Sequence, residues 1–111
     1  MSRLFDHEKL EVYQESLAFI SWLEPIVRKL SRKIAVRDPL DRASTSIVLN
    51  RAVARGSALE CAAGLDVLAA KGFCEVEVVN IGKEKLRRIV SMLVGLIKAN
   101  SDYRLHEGDG D

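Results

Sequence analysis

From Asp38 to Gly72 apolar residues return every seven positions, at Leu40, Ile47, Ala54, Cys61 and Leu68, with Ala43, Ala58 and Leu65 at the half-steps. That spacing keeps one face of an α-helix turned toward a partner, so the stretch demands at least one further helix to cover it. Both ends carry boundary signals. Asp38 can cap the start while Pro39 takes the first helical position, where its missing N–H costs nothing, and Asp41 sits in the positive first turn. At the far end Lys71 suits the negative dipole end, and Gly72 can adopt the left-handed conformation that stops a helix. The unbroken register predicts one continuous helix from Pro39 to Lys71, which at about 1.5 Å per residue would span about 50 Å. Gly56, Ser57 and Gly64 argue for an interruption. Read that way, Gly56 ends one helix and the segment Ser57 to Glu60 opens the next as a capping box.

The flanking segments are helical as well. Asp6 can cap a helix whose core face reads Leu10, Tyr13, Leu17, Ile20, Val27, Leu30 and Ile34. Pro25 removes one backbone hydrogen bond within it, which predicts a bend but not an end to a helix from about His7 to Lys33. Phe19 and Trp22 fall off that stripe, so they mark a second neighbour, either within the chain or on another subunit. After Gly72, residues Glu75 to Val78 alternate like a strand, yet a lone strand would have no partner, and the segment reads as the opening of a last helix. Its core is Leu86, Ile89, Leu93 and Leu96, with Val90, Val94 and Ile97 on the flank. A helix apolar on two sides needs cover from two directions, which points to a second subunit.

Composition narrows the function classes. The chain has 111 residues, 48% hydrophobic and 30% charged, with a net charge of +1. One helical domain, residues 1–105, and a flexible acidic tail, 106–111, account for this length. A charge so near neutral gives no global drive toward nucleic acid or membrane, so such contact needs a local patch. No apolar run is long enough to span a membrane and the N-terminus lacks a signal-peptide core, so a cytoplasmic protein is expected. Cys61 and Cys74 read as reduced thiols.

The chemistry-bearing residues are sparse. His7 and His106 stand near opposite termini with no carboxylate or cysteine at ligand spacing, and no phosphate-cradling loop or nucleophile elbow is present, so neither metal, cofactor, small-molecule substrate nor catalytic residue is expected. Ser44, Thr45, Ser46, Ser57 and Gly64 read as small residues that let helices approach. Arg28, Lys29, Arg32, Lys33 and Arg37 place five basic residues within ten, without an acidic one. They suit a solvated helix C-terminus, where cations meet the negative dipole end, or a phosphate-binding patch on RNA. No aromatic residue interleaves them, as a single-strand binder would require.

Four segments carry a family resemblance: Phe5 to Gln14 (FDHEKLEVYQ), Leu40 to Ile47 (LDRASTSI), Ala54 to Cys61 (ARGSALEC) and Leu86 to Leu93 (LRRIVSML). In that order they resemble the four-helix-bundle proteins encoded in intervening sequences of 23S ribosomal RNA genes and, more distantly, the accessory variability proteins of diversity-generating retroelements. The resemblance implies an antiparallel four-helix bundle, often a ring of five subunits, with no established enzymatic activity. The chain departs from it after Asn50, where the inter-helix turn and its flanks are missing. The expected architecture is therefore an all-α antiparallel bundle of three helices per chain, the central two fused, with a shortened four-helix bundle as the alternative. Fusion would favour a swapped dimer over the ring. The expected function is a non-enzymatic, homo-oligomeric scaffold or adaptor toward RNA, against a purely structural or vestigial bundle.

Overall fold

The heptad stretch breaks at Asn50, whose backbone is extended (φ −135°, ψ 95°) and whose side-chain Oδ1 accepts the Ala52 N–H at 3.2 Å. The computed structural model describes the backbone of residues 2–109 and the side chains of residues 9–98. It holds four α-helices: α1 Ser2–Lys29, α2 Arg37–Leu49, α3 Ala54–Ala70 and α4 Val76–Asp109, with one 3₁₀ turn at Arg51–Val53 between α2 and α3. The continuous central helix is thus corrected to a helical hairpin, and the shortened four-helix bundle is what forms. The break is also not at Gly56, which lies inside α3 with an ordinary backbone. A swapped dimer is no longer required, because its reason was the unbroken helix.

Every residue of the predicted seam is nevertheless buried: Leu40, Ala43, Ile47, Ala54, Ala58, Cys61, Leu65 and Leu68. The seam says which face is covered and not whether the backbone runs straight. Reversing at Asn50 lets α3 cover α2 within one chain, whereas a straight helix would leave both halves half exposed at about 1.5–3 kcal/mol per large side chain. Close approach of α2 and α3 depends on Gly64, where a Cβ would lie 3.0 Å from Leu40 Cδ1 and 3.4 Å from Val36 Cγ2. Gly64 is the close-packing position its small neighbours suggested.

Each helix packs on two others, α1 on α2 and α4, and α3 on α2 and α4, giving a bundle of 57 × 20 × 18 Å. Exposed ion pairs bridge the α4 contacts: Lys83 to Asp66 of α3 at 2.9 Å, and Arg88 to Glu15 of α1 at 3.8 Å. The end of α3 follows its sequence signal. Gly72 is left-handed (φ 78°), Phe73 N–H bonds the Leu68 carbonyl at 2.9 Å, and Gly72 N–H bonds that of Ala69 at 3.1 Å. This pairing satisfies the last carbonyls of the helix. The start of α2 does not follow its signal. The helix opens one residue before Asp38, Val36 is its cap, and no side chain caps it.

Helix α1 runs through Pro25, as expected, but ends at Lys29 and not Lys33. Its buried face is turned from the predicted one in the first half, where Val12, Ser16, Phe19 and Leu23 are buried while Leu10, Tyr13 and Leu17 are exposed; farther on, the predicted Val27, and Leu30 just past the helix end, are buried as expected. Ser16 hid that face. Its hydroxyl donates to the Val12 carbonyl at 2.8 Å, so a polar residue occupies a core position without an unpaired group. Phe19 and Trp22 belong to the intrachain core, stacked with centroids 5.8 Å apart. Trp22 lies over Gly82 of α4, where a Cβ would come within 2.5 Å of Cη2 and 2.8 Å of Leu65 Cδ1.

In α4 the predicted core residues Leu86, Ile89, Leu93 and Leu96 are buried, Val90 is half-buried, and Val94 and Ile97 are exposed. The helix extends to Asp109, over most of the expected tail; Gly110 and Asp111 lie outside the described residues, as do the side chains of His7 and His106. Among the described residues no helix is long and apolar enough to cross a membrane.

Candidate nucleic-acid interface

The five basic candidates gather at one end of the bundle. Arg28 and Lys29 form the last turn of α1, Arg32 and Lys33 sit in the connection to α2, and Arg37 opens α2. Helix α1 ends here, so cations are favoured by the negative end of its dipole. Tight bonds hold the connection: Leu30 N–H to the Val27 carbonyl, Ile34 N–H to that of Ser31, and Arg37 N–H to that of Ile34, at 3.0–3.1 Å. Leu30 is buried and anchors the connection to the core.

The five do not play one role. Arg37 is half-buried, and its Nε donates to the Val27 carbonyl at 3.2 Å, so it caps the end of α1 from the start of α2. It is a structural clamp, not an outward contact. Arg28 pairs with Glu24 one turn back at 3.5 Å, both exposed, a contact worth a few tenths of a kcal/mol, about 0.3–0.5. Lys29, Arg32 and Lys33 are exposed. They form the part of the cluster free to meet a phosphate.

Folding adds two residues that were not apparent in the chain. The α3–α4 connection lies at the same end, since the helices alternate in direction, and it carries exposed Lys71 and exposed Phe73. An aromatic face beside cations is what stacking on an unpaired base needs. Exposed Asp38, Glu75 and Glu77 stand at this end too.

Elsewhere the surface carries shallow grooves. One runs between α3 and α4, lined in part by Leu59, Ala62, Lys83, Glu84, Arg87 and Val90. In it Arg87 Nε donates to Glu84 Oε1 at 3.0 Å, and this hydrogen bond holds the Glu84 carboxyl below its usual range. Among the described residues no three of His, Cys, Asp and Glu gather in a metal-binding arrangement. Cys61 and Cys74 are free thiols. Burial, with Glu60 adding to it, pushes the Cys61 thiol up to about 12, and burial likewise raises Cys74. Neither is a ready thiolate at neutral pH. No protein-family model, characterised protein or solved structure matches the chain.

Proposed function

We propose that this chain is a cytoplasmic, non-enzymatic helical-bundle adaptor that works as a homo-oligomer and engages structured RNA through Lys29, Arg32 and Lys33. It would be a shortened relative of the four-helix-bundle proteins of 23S ribosomal RNA intervening sequences. The observation that carries the reading is the exposed basic connection, with Lys71 and Phe73 brought to the same end by the α3–α4 connection. Phosphates would meet the cations while an unpaired loop base stacks on Phe73. A purely structural bundle is the second reading, favoured by Asp38, Glu75 and Glu77 at that end.

A filter-binding titration with a stem-loop RNA across a salt series separates the two. The adaptor reading expects low-salt binding that weakens steeply with salt, and a triple variant Lys29→Glu, Arg32→Glu, Lys33→Glu that loses it, with the salt slope falling by about 2–3. Absence of low-salt binding, or binding unchanged in the triple variant, would leave the structural reading. Arg37 stays out of that variant because its loss would loosen the fold.

A further inference from the structure

Near the α2–α3 turn the bundle is not filled. A groove of about 140 Å³ opens there between α1, the end of α2 and α4, and no residue of α3 lines it. The reversal at Asn50 accounts for the space: α3 begins only at Ala54, so at the level of Arg51 three helices and a turn enclose what four helices enclose farther along. The inner wall is apolar. Val12 of α1, Ile47 of α2, and Leu93 and Leu96 of α4 line it, and all four are buried. Ser16 lines it too, but its hydroxyl hydrogen is already given to the Val12 carbonyl, so the depth of the groove offers a ligand hydrocarbon contact and no donor.

The mouth is polar. Its exposed residues are Lys9 and Tyr13 of α1 and Arg51 of the turn, and among the described lining residues none is acidic. Lys9 and Arg51 take part in contacts of their own within the chain. A single contact uses only some of the three donors of an ammonium or the five of a guanidinium, and the Tyr13 phenol adds one more. Such donors at the rim of an apolar cleft suit a carboxylate whose body lies inside. Size narrows the class further. Sites for drug-sized ligands run to about 300–1,000 Å³, whereas an engineered apolar cavity of about 150 Å³ takes up benzene.

We infer that this groove binds a small monocarboxylate whose apolar body is about the size of one benzene ring. The body lies among Val12, Ile47, Leu93 and Leu96, and the carboxylate meets Lys9 and Arg51. Among the described lining residues there is no histidine, cysteine or carboxylate to carry a reaction, so the ligand is held and not turned over. The place is separate from the basic connection, since Lys29 follows Lys9 by about 20 residues of α1, about 30 Å of helix. Bound there, the ligand ties α1 and α4 to the α2–α3 turn.

Methyl and amide correlation spectra of the full chain, titrated with benzoate, test the assignment. Benzoate is expected to shift the Val12, Ile47, Leu93 and Leu96 methyl signals with a Kd at or below about 1 mM, within reach of a ligand of so few atoms. Benzyl alcohol, with the same ring and no charge, should bind at least about tenfold more weakly. The double variant Lys9→Gln, Arg51→Gln should weaken benzoate by about tenfold or more, its ligand-free spectrum reporting that the fold is kept. The comparison with benzyl alcohol needs no variant. Absence of methyl shifts at about 10 mM benzoate, equal binding of the alcohol, undiminished binding in the folded variant, or shifts confined to residues 29–33 would each overturn the inference. A failed RNA titration leaves it standing, because the two sites share no residue.

Discussion

The phase of α1 can be tested by comparing two residues two positions apart. Phe19 is 0% exposed and its ring stacks on Trp22, whereas Leu17 is 39% exposed. Truncating a buried phenylalanine to alanine costs about 3–5 kcal/mol, from lost transfer energy and the cavity left behind. The aromatic pair with Trp22 accounts for about 0.5–1.5 kcal/mol of such a loss. Leu17→Ala removes a side chain that already meets solvent and should cost about 1 kcal/mol or less. A domain of this size has about 5–15 kcal/mol in total, so Phe19→Ala uses a large share of it. In urea, with an m-value of about 1.5–2 kcal/mol/M, the Phe19→Ala midpoint should fall by about 1.5–3 M and that of Leu17→Ala by about 0.5 M or less. Circular dichroism at one protein concentration reads both. Equal losses, or a larger loss for Leu17→Ala, would refute the burial of the Val12–Ser16–Phe19–Leu23 face.

Other substitutions probe the remaining contacts. Gly82→Ala pushes a methyl into Trp22 and Leu65 and should destabilise by about 1–3 kcal/mol, with a changed Trp22 emission spectrum as an independent sign. Gly72→Ala places a side chain at a left-handed position and should cost about 1–2 kcal/mol in thermal melts. In the folded protein Cys74 should react with an aromatic disulfide reagent well before Cys61, which waits for unfolding. The Cys61 thiol rises from an ordinary value of 9.0 to about 12, so its stabilisation is complete below pH 9 and is lost as pH rises toward 12; denaturation series should show stability falling over that range, less steeply in Cys61→Ala.

Much of the fold was legible because heptad spacing reports burial directly. The α3 and α4 core residues, the Gly72 stop and the close approach at Gly64 all follow from local patterns. Two features were hidden for physical reasons. Ile47 and Ala54 are seven residues apart on either side of the turn, so the break at Asn50 leaves the apolar register intact, and only the ability of Asn to bond its own following backbone marked it. In α1 a buried serine, bonded to the carbonyl one turn back, made the true core face look polar and the exposed Leu10–Tyr13–Leu17 face look like the core. At the candidate interface the basic run was plain from the sequence. The separate duty of Arg37, and the arrival of Lys71 and Phe73, depend on contacts and topology that residue spacing alone does not carry.

The reversal at Asn50 underlies the whole arrangement, since it lets α3 cover α2 within one chain and brings both connections to one end. Spin labels at Asp38→Cys and Ala70→Cys, with Cys74→Ser and the buried Cys61 left in place, measure it directly by pulsed dipolar spectroscopy. A hairpin with helix axes about 8–10 Å apart predicts a label separation below about 25 Å within each chain. A distance near 48 Å, about 32 residues of unbroken helix at 1.5 Å each, would contradict it.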